Sequence, residues 1–359
     1  MKFPRKRTVA YVFLGLAVMA GIGTWGAITL VKARFFREHP NRLAIDGDLS
    51  AVPFEWAPTK HGDYTEVHGA ILLPVTVPGI EKQLYMQFDT GSPSTFLRSG
   101  CLKSLVERGV ECEVYDDDGT KRVRELELNV GENRVVLSGG WVMQRQISID
   151  WEKPYNVIGS IGADFIDERV CAFDFPSQKL HLFKQKTPEL KMLGAFGDFR
   201  FPGRRIMLPA EVEGTEMELL YDSGCSPFGL FTSKYHFDRY GDEDAQELSL
   251  NENSFGNAVP VHHKPCSLPV RFGDVEVPIE RVSYTGQYVA MQSWFGGFVD
   301  GGFMGNKFLL NSTLILDSAE KQFLLLPRSL SEVLAESSTS SEPMEGSIEA
   351  LEVSNPERS

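Results

Sequence analysis

Phe88-Asp89-Thr90-Gly91-Ser92 and Tyr221-Asp222-Ser223-Gly224-Cys225 are the two stretches whose reading decides the fold. In each, an apolar run ends in an aspartate, followed by a small hydroxyl residue and a glycine. Alone, Asp-Thr-Gly is an ordinary turn signal, since aspartate bonds its own backbone and glycine accepts turn dihedrals. The surroundings give the pair its weight. Leu84–Phe88 feeds Asp89 and follows the apolar, β-branched run Ala70–Val77, closed by Pro78-Gly79. Met217–Tyr221 feeds Asp222 and follows Ile206–Val212, closed at Gly214.

The correspondence continues outward. Leu128–Val136 and Val270–Val277 each read as a hairpin around a glycine turn. Val157–Phe165 matches Gly301–Phe308. Asp174 stands twelve residues after Gly162, and Asp317 twelve after Gly305. Lysine-bearing turns (Lys179, Lys321) then lead into Leu180–Phe183 and Phe323–Leu326. So many ordered matches predict an internal duplication, residues 67–185 and 204–327, joined by a linker at 186–203. Strand-length runs between turn signals predict an all-β fold for both copies. Asp174 and Asp317 read as strand-end groups rather than reactive ones.

The chain ends are different in kind. Residues 1–7 are basic, and residues 8–31 carry no charge. As a helix this run would be ~36 Å long, enough for a bilayer core. It is expected to be an uncleaved transmembrane anchor, because the apolar run continues past the small-residue point at Ala20, where a signal peptide would be cut. The dense basic amino-terminus predicts that the bulk of the chain lies on the far, extracytoplasmic or periplasmic side. Residues 32–66 read as a polar linker. Residues 328–359, rich in Ser and Glu, are expected to form a disordered tail.

Composition removes several function classes. The apolar fraction of 42% is that of a packed domain. With 36 basic against 49 acidic residues, the net charge of −13 leaves no basic stripe for nucleic acid. Five cysteines without a CxxC spacing indicate neither zinc nor a dense disulfide framework, although Cys101 and Cys112 could pair in an oxidising compartment. His262-His263 has no second ligand cluster near it and reads as an exposed loop. No metal or cofactor is expected. Neither Gly-x-Ser-x-Gly nor His-Glu-x-x-His occurs.

Two aspartates brought together would have a definite chemistry. Close carboxylates cannot both ionise easily, so they share one proton. The ionised member can take a proton from water while the protonated one donates to a peptide carbonyl. The flanking residues suit such a site. Gly91 and Gly224 allow a tight turn beside each carboxylate. Thr90 and Ser223 could bond across to the opposite loop. Ser92 could support the outer oxygen of Asp89, whereas Cys225, a weaker donor, stands at the matching place beside Asp222. Asp222 is therefore expected to be the less supported of the two.

With these residues the chain resembles the aspartic peptidases, the pepsin-like enzymes and the retroviral proteases. Ile161-Gly162 and Met304-Gly305 match that clan's apolar-apolar-Gly segment, and the short halves are more similar to single retropepsin units than to pepsin lobes. The resemblance implies a bilobal fold with a pseudo-twofold internal repeat. It further implies that Asp89 and Asp222 are the catalytic pair at a peptide-binding cleft, and that one monomeric chain assembles the site. A flap over the cleft is implied as well. Its candidates are Tyr115 and Gly119, on either side of Asp116-Asp117-Asp118, with Trp141 as runner-up, and the hairpin around Asn253–Val261 is the second-half counterpart. Two alternatives compete: a pair of turn aspartates, and an inactive envelope protein that holds an extended peptide by strand addition.

Overall fold

In the computed structural model, residues 29–30, 32–61, 64–254, 257–286 and 301–339 are described. The fold is predominantly β, with strands in three sheets of eleven, six and seven. The anchor expected at 8–31 lies outside the described residues apart from 29–30. Among the described residues no helix is long and apolar enough to cross a membrane.

The same pairing scheme occurs in both halves. In the first, Tyr64–Thr76 pairs antiparallel with Leu84–Phe88, which carries Asp89 at its end. Leu84–Phe88 then pairs in parallel with Val157–Ile161, and that strand pairs antiparallel with Phe96–Arg98. Trp141–Met143 completes the set, parallel to Phe96–Arg98. In the second half Ile206–Val212 pairs antiparallel with Thr215–Tyr221, around a two-residue turn at Glu213-Gly214. Thr215–Tyr221 runs parallel to Gly302–Met304, which pairs antiparallel with Leu230–Phe231; Val275–Tyr284 lies parallel to the latter. Each aspartate thus leaves the end of a strand held on both sides, so the loop after it starts from a fixed point.

The six-stranded sheet joins the halves. Its central strands are Val170–Asp174 and Thr313–Asp317, antiparallel, with Val170 opposite Asp317, Ala172 opposite Ile315 and Asp174 opposite Thr313. Both strands are buried throughout, because each face of the sheet is covered. Cys171, Phe173, Leu314 and Leu316 point into the main core. Val170, Ala172 and Ile315 point the other way, onto Leu190, Leu330 and Val333. Asp174 and Asp317 close the strand ends: Asp174 accepts from Ser329 Oγ (3.0 Å), and Asp317 pairs with Lys186 (3.1 Å).

Several expectations are corrected here. Residues 32–66 are not a linker. Leu43–Ile45 pairs with Asn133–Ser138, Leu49–Pro53 with Lys179–Phe183, and Glu55–His61 with Tyr64–Thr76. Leu49, Val52 and Phe54 are core residues. The segment looked polar because only alternate side chains face inward. The tail expected to be disordered from 328 begins with a helix, Leu330–Thr339, because Leu330 and Val333 find an apolar sheet face to cover. The stretch 186–203 contains a short helix, Pro188–Lys191, capped by Thr187, so it is not a plain linker. His262 and His263 lie on a long strand, Asn257–Phe272, rather than on a loop, and His263 is buried against the Phe228 ring. None of the five cysteines forms a disulfide, so Cys101 and Cys112 are not paired.

Two ion pairs cross between the halves, and both take their cation from the second half and their anion from the first. Arg204 of the second half meets Asp167 of the first (2.8 Å), and Lys307 of the second meets Glu66 of the first (2.5 Å). Glu66 is almost wholly buried (4% exposed), and besides pairing with Lys307 it accepts from the His68 N–H (3.2 Å). Lys307→Met is expected to cost about 3 kcal/mol in urea unfolding at pH 7, and adding Glu66→Gln is expected to recover most of it. A Lys307→Met protein as stable as the parent would contradict this.

Candidate active site

Apolar strands bring the two aspartate loops together, and four hydrogen bonds lock them. The Thr90 N–H donates to Ser223 Oγ (2.9 Å), and the Ser223 N–H donates to Thr90 Oγ1 (2.9 Å). Each hydroxyl then donates onward to the opposite half's backbone, Thr90 Oγ1 to Tyr221 O (3.2 Å) and Ser223 Oγ to Phe88 O (3.0 Å). Both side chains are fully buried. An alanine in either place would leave buried backbone groups unpaired, which is costly in a dry interior.

The glycines show how closely the loops approach. A methyl group on Gly91 would lie 2.3 Å from Asp222 Oδ1, and one on Gly224 would lie 2.4 Å from Asp89 Oδ1. Each aspartate therefore faces the other half's glycine, and any Cβ there would displace a carboxylate. Beneath the loops, the Asp89 N–H donates to Ile161 O (2.9 Å) and the Asp222 N–H to Met304 O (3.0 Å). Gly162 and Gly305 follow those acceptors. Added methyl groups would meet Ser92 O at 2.8 Å and Cys225 O at 2.1 Å, so the floor under each loop admits only glycine.

The support of the two carboxylates reverses the expectation. Asp222 accepts from the Gly224 N–H (2.8 Å) and the Cys225 N–H (3.2 Å) at Oδ1, and from the Cys225 thiol at Oδ2 (3.2 Å). Asp89 accepts from the Ser92 N–H (3.2 Å), while the Ser92 hydroxyl turns away to Ser94 O (2.8 Å). The tight Ser92–Ser94 turn captures the short hydroxyl, whereas the longer C–S bond lets Cys225 reach its carboxylate. Both aspartates are half-buried as residues. Asp89 nevertheless lies deep among protein atoms. Burial first, and then the neighbouring Asp222 charge, push its proton affinity up, to about 7.

Second-rank contacts that carry no motif complete the arrangement. Asp164 is buried and holds Thr95 by two bonds of 2.7 Å, to its N–H and its hydroxyl, behind the first loop. Asn306, one residue after Gly305, donates to Ser223 O (3.2 Å) and Ser226 Oγ (2.7 Å) and accepts from the Tyr221 hydroxyl (2.8 Å). Polar residues just after the paired glycines were the available signal for both. The flap candidates share one end of the eleven-stranded sheet, where Trp141 lies opposite Arg122. Tyr115 and Gly119 lie on the hairpin formed by Val114–Asp117 and Thr120–Val123, with Asp118 and Gly119 at positive φ in its turn. Tyr115 lies under the Arg124 guanidinium (5.4 Å), and Trp141 packs on Phe96 (5.2 Å). The second-half hairpin, Leu248–Ser254 against Asn257–Phe272, is their topological counterpart.

A cavity of about 420 Å³, lined by Trp56, His68, Phe175 and Leu310 among others, lies apart from both aspartates. Among the described residues no cluster of His, Cys, Asp and Glu could hold a metal ion. No protein-family model matches the chain, and no curated protein matches it.

The raised proton affinity of Asp89 has a thermodynamic sign. The folded protein binds a proton there that the unfolded chain releases near its ordinary value of 3.8. This contribution to stability is fully present below that value and is lost as pH rises through about 7. Asp89→Asn, which is neutral at every pH, is expected to flatten the loss and to gain roughly 2 kcal/mol over the parent at pH 8. Denaturant unfolding between pH 4 and 8 checks this. Parallel pH profiles for parent and variant would show that the carboxyl group is not strained.

Proposed function

We propose that the chain is an aspartic-type endopeptidase in which a water molecule held between Asp89 and Asp222 attacks the peptide bond. The observation that supports it best is the mutual approach of the two carboxylates, each against the other half's glycine and locked by the reciprocal Thr90 and Ser223 bonds. The bilobal arrangement of pepsin-like and retropepsin-like enzymes is the fold that accompanies this proposal.

The chemistry follows from the asymmetry of the pair. One proton is shared, and it belongs to the pair rather than to either residue. Asp89 carries the raised proton affinity and is assigned the acid's part, donating toward the carbonyl oxygen. Asp222, held by three donors, is assigned the base's part and takes a proton from the water as its oxygen attacks the carbonyl carbon. Proton return to the leaving nitrogen then breaks the C–N bond. The Thr90–Ser223 lock keeps the carboxylates at a constant separation, so little reorganisation is required during the reaction. The uncharged run at 8–31 would tether such an enzyme to a membrane, with substrates among envelope or membrane-near proteins.

The test uses the full chain in detergent with a peptide library from pH 3 to 8. Asp89→Asn and Asp222→Asn are each expected to lower kcat/KM by roughly 10³-fold or more. Loss in only one variant would defeat the shared pair. If the parent cleaves no peptide yet binds peptides as tightly as both variants, the chain is a binding protein rather than a peptidase.

A further inference from the structure

Arg205 is a buried cation at the candidate site that no motif singled out. It stands immediately before the strand Ile206–Val212, and its Nη1 donates to the Gly91 carbonyl oxygen. Gly91 is the residue packed on the Asp222 carboxylate, so the guanidinium sits one residue from the contact between the loops. Its other side is covered by the Phe35 ring, 4.5 Å from Cζ. Its Nε is buried without a hydrogen-bond partner among the described residues.

The neighbours leave few roles for this charge. Arg204 is committed to Asp167 and to Pro93 O. Glu38 accepts from the Gly203 N–H (3.0 Å). His39 is held toward its neutral form by burial and then by Arg37, Arg204 and Arg205. The negative charges acting on Arg205 are Asp222 first and Asp89 second, and they oppose the effect of its own burial. The Cys225 thiol is the other titratable group at the pair, bonded to Asp222. Among the described residues, Arg205 forms no ion pair at 4.0 Å or less. It therefore acts on the carboxylates through space and does not occupy them.

We propose that Arg205 is a positioning residue of the carboxylate pair: its guanidinium, clamped between the Phe35 ring and the Gly91 carbonyl, is the fixed positive charge against which Asp89 and Asp222 ionise. A buried guanidinium is costly without compensation, and so is the single net negative charge of a half-protonated pair. Each offsets the other. Phe35 keeps water off the outer face, where it would screen the interaction, and contributes a cation–π contact. Because Phe35 belongs to residues 32–36, the segment that follows the uncharged run holds a part of the site in place.

The inference rests on Asp89 and Asp222 being the working pair, but its test does not depend on turnover. The full chain, labelled with ¹³C at the aspartate carboxyls, is titrated by NMR alongside the pH profile of kcat/KM. Arg205→Met is expected to move both titrations of the pair, and both limbs of the kinetic profile, upward by about one pH unit. Arg205→Lys, which keeps the charge, is expected to restore most of that shift while lowering kcat, since it loses the planar contacts to Gly91 and Phe35. Phe35→Ala is expected to shift the titrations in the same direction by less, and it supplies the test if Arg205→Met does not fold. Unchanged carboxyl titrations in Arg205→Met, or in Phe35→Ala where that variant stands in, would overturn the proposal. A parent that cleaves nothing but shows these NMR shifts would overturn the peptidase proposal alone.

Discussion

Everything at the centre of this molecule depends on two hydroxyl groups that each accept from a backbone N–H of the opposite loop. Thr90 and Ser223 are fully buried, and each also donates to the strand that leads into the partner loop. The result is a closed set of four hydrogen bonds made directly between protein groups. Such a set tolerates almost no change in loop separation, because stretching one bond strains the others. The aspartates inherit that constraint without themselves supplying it. Their mutual repulsion, which alone would push the loops apart, is contained by neutral groups below them.

The halves are alike in backbone and unlike in chemistry. The strand pairings repeat, and Val170–Asp174 meets Thr313–Asp317 about a centre at Ala172 and Ile315. Side chains break the likeness where the halves touch. Phe88 corresponds to Tyr221, whose hydroxyl donates to Asn306, and in the Arg204–Asp167 and Lys307–Glu66 pairs the first half supplies both acids and the second both bases. Arg205 has no basic counterpart, since Ala70 precedes Ile71. These differences give two carboxylates of the same kind different surroundings, which is what the proposed division of acid and base work would require.

The strands were legible in the sequence wherever apolar residues are continuous or alternate between turn signals, as in Leu84–Phe88, Val157–Ile161 and Thr313–Asp317. Glycines marked the tight places, because a missing side chain is visible in sequence. The edges were not legible. Leu43–Ile45 and Leu49–Pro53 are short and half-buried, and their pairing partners lie far along the chain, so local composition suggested a linker. The helix at Leu330 was hidden for the same reason, since two apolar residues suffice when a sheet face is waiting for them. At the site, the residue types next to the aspartates were plain, but the direction of each side chain was not. Ser92 and Cys225 exchanged their expected parts because hydroxyl and thiol differ in reach. Arg205 and Glu66 had no signal at all, since what matters about them is a contact with the other half.

The position of Phe35 has a geometric corollary. Residues 29–30 and 32–35 are helical, and the Phe36 N–H donates to Lys32 O (3.0 Å), so the ring over Arg205 stands four positions beyond the end of the uncharged run. That is ~6 Å of helix, or at most ~14 Å of extended chain. Were the run embedded in a bilayer, the carboxylate pair would sit at the lipid headgroups rather than at the end of a flexible tether. Under the proposed activity, a polypeptide would then be cut only close to where it leaves the membrane, and bond choice would be set by height above the lipid as much as by side-chain fit.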